Sequence, residues 1–274
     1  MAEQPTTSER SAIRIGAVTY LNARPLSFVL PRLVPGARIT VDLPSRLADH
    51  LAAGRLDVAL VPSIEYARDS RYTIVSDACV ACDGPVQSVK LFGRVPVERI
   101  RTLALDEGSR TSAAMARIVL KEQYGIQPRI QPHAIGTPLE DSTADAVMLI
   151  GDRGMQPENG SFEFVWDMGR RWLNLTGLPF VFAMWIAPAG VDLQGIDKVL
   201  AAARDAGVRQ LSRIARHDAA ALGISENECL SYLRDNLVFQ LGERQRQGLK
   251  TFYELASRHA LAPPGVELVF YDDQ

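Results

Sequence analysis

The stretch Ile13-Arg14-Ile15-Gly16-Ala17-Val18-Thr19-Tyr20-Leu21-Asn22-Ala23-Arg24-Pro25-Leu26 decides how the rest of the chain is understood. Ile13, Ile15, Ala17 and Val18 form a short apolar run with Gly16 inside it, the pattern of a parallel strand buried on both faces. The run ends at Thr19-Tyr20. Pro25 suits the first turn of a helix, where its missing N–H is not needed and its φ is already helical. A strand feeding a polar turn and then a helix sets Thr19, Tyr20, Asn22 and Arg24 at the carboxyl edge of a sheet, where open α/β proteins bind ligands. The same spacing also fits an ordinary βα turn.

Working outward, Arg38 to Leu43 is expected as a strand. Pro44-Ser45 opens a helix with Leu47 and Leu51 on one face and Gly54 as its stop, and Leu56 to Val61 is a buried strand closed by Pro62-Ser63. Residues 13–63 thus form a β-α-β-α-β unit. A second copy of the plan follows: strand Arg101 to Leu105, turn Asp106 to Arg110, helix from Thr111-Ser112 through Met115, Ile118 and Val119 to Gly125, strand Arg129 to Gln131, and strand Ala144 to Ile150 ending in Gly151-Asp152. The interval from first to third strand agrees to within a residue, although no residue-level repeat is detectable. Two such units predict an α/β fold of two lobes. Each lobe is a mixed, mostly parallel sheet flanked by helices, with strand ends facing a ligand cleft.

The expected division is a disordered tail over 1–12, a discontinuous lobe one over 13–92 plus 186–274, and lobe two over 93–185. Val86 to Arg94 is expected to cross between the lobes, and the apolar strand Pro179 to Ala187 to return. Helices are expected at Gly195–Ala215, Asp218–Leu222, Glu226–Leu233 and Glu243–His259, with Val266 to Tyr271 as a last strand on lobe one.

The chain has 274 residues, 47% hydrophobic and 23% charged, with a net charge of -2, which is ordinary globular composition and offers no electrostatic footprint for nucleic acid. Residues 1–12 lack the apolar core of a secretory signal. Leu178 to Ala187 is too short to span a bilayer. A cytoplasmic protein without a membrane partner is expected. Cys79 and Cys82 form a Cys-x-x-Cys pair and Cys229 stands alone. With no second pair, and with His50, His133, His217 and His259 scattered, all three are expected as structural thiols, the pair near a loop. No metal and no organic cofactor are implied.

The sequence has no G-x-G-x-x-G, no G-x-x-x-x-G-K-[ST], no H-E-x-x-H and no G-x-S-x-G. What recurs is a set of small polar groups at strand ends and helix starts. Thr111 and Ser112 sit where free N–H groups and the positive end of a helix dipole would face a carboxylate, and where simple N-capping is equally served. Ser88 and Lys90 share one face of the crossing segment. Asp152 ends the third strand of one unit, and Ser63 with Glu65 does so in the other; such residues are also common turn formers. Trp166, Trp172 and Trp185 are expected in the core or a lid.

Taken together, these stretches resemble the chorismate dehydratases of the futalosine route to menaquinone. The resemblance is carried by Arg14-Ile-Gly-Ala-Val-Thr-Tyr-Leu-Asn-Ala-Arg-Pro-Leu26, Asp57-Val-Ala-Leu-Val-Pro-Ser-Ile-Glu-Tyr66 and Val86-Gln-Ser-Val-Lys-Leu-Phe92. Thr111-Ser112, Asp145-Ala-Val-Met-Leu-Ile-Gly-Asp152 and Leu175-Thr-Gly-Leu-Pro-Phe-Val-Phe182 complete it. The opening motif and the lack of a histidine near Asp152 separate the chain from the sister dihydroxynaphthoate synthases. The resemblance implies a periplasmic-binding-protein-like type II fold and conversion of the dicarboxylate chorismate to 3-[(1-carboxyvinyl)oxy]benzoate and water. It hands catalytic or substrate-orienting roles to Asn22 and Ser88 and substrate binding to Thr111 and Ser112. Thr19, Tyr20, Arg24, Ser63 and Asp152 complete the expected binding set, with Arg24 or the N–H groups at Thr111 and Ser112 holding a carboxylate. Neither Asn22 nor Ser88 ionises near neutrality. A substrate carboxylate is therefore the expected base, with Glu65 and Asp152 as alternatives.

Overall fold

The computed structural model describes residues 12–155 and 160–271; the expected N-terminal tail lies outside them, apart from Ala12. Eleven strands run in chain order as β1 (Arg14–Val18), β2 (Arg38–Asp42), β3 (Val58–Pro62), β4 (Tyr72–Cys82), β5 (Val89–Gly93), β6 (Thr102–Asp106), β7 (Arg129–His133), β8 (Ala146–Ile150), β9 (Phe164–Asp167), β10 (Phe180–Pro188) and β11 (Val238–Gln240). They form two sheets, ordered β11-β4-β10-β3-β1-β2 and β7-β6-β8-β5-β9.

In the first sheet β1 runs parallel to β2 and β3. In the second, β6 runs parallel to β7 and β8. An antiparallel strand then adds to the outer side of β3 and of β8, β10 in one sheet and β5 in the other. The shared plan has a local cause: β1, β3, β6 and β8 are near-continuous apolar runs, which bury both faces only when helices cover a parallel sheet. Gly16 shows how closely those helices pack. A Cβ there would lie 3.0 Å from Leu47 Cδ2 of the helix Pro44–Ala52, as well as 2.6 Å from Leu56 Cδ1 and 2.9 Å from Ala59 Cβ of β3.

In each sheet the antiparallel strand beside the parallel ones is the first strand after the chain crosses over. β5 pairs wholly within the second sheet, so the chain crosses over residues 83–88, before the expected point after Phe92. All of β10 pairs within the first sheet, so the return comes before Phe180 rather than after Trp185. The physical reason is that β5 and β10 are largely buried, and each needs backbone partners along its full length. The expected helix over 195–215 divides at Arg209-Gln210 into Ile196–Val208 and Leu211–Leu222. The expected last strand contributes a single bridge, Ile74 to Phe270. Trp172 and Trp185 are fully buried and Trp166 nearly so.

Cys79 lies within β4 and Cys82 is its last residue, next to the loop that follows, as expected. Residues three apart on a strand point to opposite faces, so this pair cannot act as a dithiol without breaking the strand. Burial pushes the Cys82 thiol up to about 12 and the Cys229 thiol up to about 11, and raises Cys79 as well. At pH 8 the folded protein is expected to show no fast reaction with Ellman's reagent, and to release all three thiols in guanidinium chloride. Rapid loss of two thiols from folded protein would restore the redox reading.

Candidate active site

A hollow of about 460 Å³, mouth included, lies where the carboxyl ends of the parallel strands of both sheets converge. Val18 and Pro62 reach it from β1 and β3, and Ile150 and Gly151 from the end of β8. Val80, Val89, Phe182 and Ala183 add an apolar wall. The polar side chains around it are Tyr20, Asn22, Ser109, Arg110, Thr111 and Ser112.

Asn22 sits in a single helical turn, Leu21–Ala23, immediately before the helix that Pro25 starts. Ser88 lies on the crossing segment and is fully buried. The two meet through Tyr232. Its phenol donates to Ser88 Oγ at 2.8 Å, and Asn22's side chain lies close enough to the same phenol to offset part of its raised pKa. Tyr232 begins a wide, π-type turn over Tyr232–Asn236, a geometry frequent at functional sites. Burial raises its pKa, so the phenol stays neutral and able to donate. The crossing segment is held tightly: Asp167 accepts the N–H groups of Val86 and Gln87, and Asn236 Nδ2 donates to Pro85 O at 2.9 Å.

Tyr20 lines the hollow with its ring over Gly151, whose φ is +59° and where a Cβ would lie 2.6 Å from the ring. Tyr20 is 6% exposed, and among the described residues its buried hydroxyl has no hydrogen-bond partner. Such a group is costly to bury, and ligands are one way to satisfy it. Burial, then Asp106 and Asp152, raise its pKa, so it too remains a donor.

Thr111 and Ser112 open a 14-residue helix, Thr111–Tyr124. Ser109 Oγ accepts the N–H of Ala113 and the Arg110 carbonyl that of Ala114. The N–H groups of Thr111 and Ser112 are left, among the described residues, without a protein partner. The Thr111 hydroxyl is itself engaged across the lobes: Oγ1 accepts Ile64 N at 3.1 Å and lies 3.4 Å from Ser63 Oγ. Beside it Arg110 donates to Glu65 Oε2 at 3.0 Å and Asp49 Oδ1 at 2.7 Å.

Several expected site residues stand elsewhere. Arg24 is not in the hollow: its Nε donates to Asp218 Oδ2 at 2.8 Å and its guanidinium lies 5.3 Å from the Phe28 ring. The helix started by Pro25 turns residue 24 toward helix Leu211–Leu222, and the carboxylate-holding role expected of Arg24 is corrected accordingly. Thr19 is exposed and does not line the hollow. Ser63 donates to Val181 O at 2.7 Å and braces β10 instead of facing a ligand. Asp152 sits behind Leu21, accepting its N–H at 3.0 Å, and burial raises its pKa. Glu65 is spent on Arg68 and Arg110. Of the expected set, the structure gathers Tyr20, Asn22, Thr111 and Ser112 around the hollow, with Ser88 joined to them through Tyr232. Tyr232, Ser109 and Arg110 were not expected. The turn Asp106 to Arg110 was visible as a turn, whereas nothing in the spacing marks Tyr232.

Two βαβαβ lobes, each completed by the antiparallel strand that follows a crossing of the chain and with a hollow at the strand ends, define a periplasmic-binding-protein-like protein. The solved structures agree at the level of fold. Protein AF1704 from Archaeoglobus fulgidus superposes with a TM-score of 0.68 at 12% identity, over 93% of this chain and 100% of that one. The periplasmic aliphatic sulphonate binding protein SsuA from Escherichia coli does so with a TM-score of 0.59 at 17% identity, over 94% and 96%. By sequence, residues 13–258 match the family described as menaquinone biosynthesis, and the chain belongs to it. The chorismate dehydratase of Thermus thermophilus is 32% identical over 88% of this chain and 93% of its own length. That of Campylobacter jejuni is 29% identical over 61% and 64%.

Proposed function

We propose that this chain removes water from chorismate to give 3-[(1-carboxyvinyl)oxy]benzoate, on the futalosine route to menaquinone. The observation that carries the reading is the meeting of Asn22 and Ser88, 66 positions apart, on one buried phenol at the edge of a hollow between two lobes.

In the proposed reaction a proton leaves the ring carbon that carries the enolpyruvyl ether. Its C–H electron pair becomes the new ring double bond, the neighbouring C–O bond breaks, and the departing hydroxide takes up the proton as water. The ring becomes aromatic, so the protein's task is orientation and stabilisation of the leaving oxygen. Asp152 is engaged by the Leu21 N–H and Glu65 by Arg68 and Arg110, and this favours the substrate's own carboxylate as the base. The unpartnered N–H groups of Thr111 and Ser112 and the free Tyr20 hydroxyl hold substrate carboxylate oxygens. Ser88, its oxygen already accepting from Tyr232, keeps its proton and donates a hydrogen bond to the leaving hydroxyl.

Incubating the protein with chorismate, following loss of the diene absorbance and chromatographing the products is the direct test. The expected product is the enolpyruvyl benzoate, formed at more than about 10⁶ times the rate of the uncatalysed elimination. Binding of chorismate without consumption would overturn the proposal in favour of a solute-holding role.

A further inference from the structure

We infer that Tyr232 is a positioning residue for this reaction, acting through Ser88 and Asn22; the inference rests on the function proposed above. The donor inventory carries it. A phenol has one proton, and the Tyr232 proton goes to Ser88 Oγ. Asn22, beside the same phenol, can then offer its oxygen only an amide N–H. Both partners are thereby fixed in polarity: the serine is an acceptor toward Tyr232 and keeps its own proton to donate, and the amide keeps its carbonyl oxygen and second N–H. Without the phenol, the serine hydroxyl can rotate and the amide can flip.

The placement supports the same role. Tyr232 is 1% exposed, so its hydroxyl has no water to turn to. It opens the π-type turn whose last residue, Asn236, holds Pro85 on the crossing segment, so one turn grips the Ser88 strand at two points. Three segments distant in sequence converge on one phenol, and two of them carry the proposed chemistry.

The test is Tyr232→Phe, which keeps the ring and removes the hydroxyl. With chorismate, kcat is expected to fall about 30-fold while KM stays within about two-fold of the parent value. In a Ser88→Ala background the same change is expected to cost less than about three-fold, because most of its effect runs through the serine. Full additivity of the two changes, or an unaltered kcat in Tyr232→Phe, overturns the inference and leaves the proposed function standing. A parent protein inert toward chorismate overturns both. Should Tyr232→Phe melt below the assay temperature, a fluorotyrosine at position 232 keeps the ring's shape and strengthens the donor. It is then expected to change kcat at constant melting temperature, and an unmoved kcat overturns the inference.

Discussion

Ser88→Ala is expected to lower kcat for chorismate by on the order of 10²–10³-fold with KM little changed, the usual cost of removing one donor from a developing negative charge. The serine makes this effect large for two reasons. It is fully buried, so no water can take its place without opening the crossing segment. Its oxygen is also committed to Tyr232, so the proton it offers is held in one direction. Asn22→Ala is expected to act similarly, since it removes an amide beside the same phenol. Steady-state kinetics on the two single variants checks both. If neither alters turnover, the assignment of chemistry to this corner of the hollow is wrong. A rise in KM at unchanged kcat would instead make the two residues part of ground-state binding.

Gly16→Val carries the largest expected effect on stability. β1 is hydrogen-bonded on both sides, to β2 and to β3, so it cannot shift to make room. A Cβ at position 16 already meets Leu56 at 2.6 Å, Ala59 at 2.9 Å and Leu47 at 3.0 Å, and valine adds two more methyl groups beyond it. Overpacking of this kind costs about 3 kcal/mol, or roughly 6–12 °C of melting temperature in a chain of this size. Thermal unfolding followed by circular dichroism checks this, with Gly16→Ala expected to fall between valine and the parent. Because β1 leads directly into Tyr20 and Asn22, the valine variant is also expected to lose turnover at temperatures where it remains folded. A Gly16→Val protein as stable as the parent would show that the helix Pro44–Ala52 is not packed on this strand as described.

The contrast between Asn22 and Arg24 shows where the sequence was informative about the site. Both lie two residues apart in the same turn, and the strand-turn-helix pattern brings both to the sheet edge. Only Asn22 reaches the hollow. Arg24 is drawn off by Asp218, a residue 194 positions away that no local pattern connects to it. Thr111 shows a different kind of difference. Its position at a helix start was legible from Gly125, Met115 and Ile118, but its hydroxyl is taken by a neighbouring helix start, leaving its backbone N–H for a ligand. Tyr232 was hidden because a tyrosine at helical spacing looks the same whether it fills a core or orients a serine.

Strand identity, the duplicated plan and the edge at which a ligand would sit follow from local features of this chain: apolar runs that demand two covered faces, a proline that can only begin a helix, glycines that admit close packing. These act over a few residues, so they are written in the order of the amino acids. The antiparallel entry of β5 and β10 into their sheets, the withdrawal of Arg24 and the meeting of Ser88 with Tyr232 beside Asn22 were decided only when distant segments packed. Hydrogen-bond partners in a dry interior are chosen by which segments come within 3 Å of each other, and Ser88 and Tyr232 are 144 positions apart.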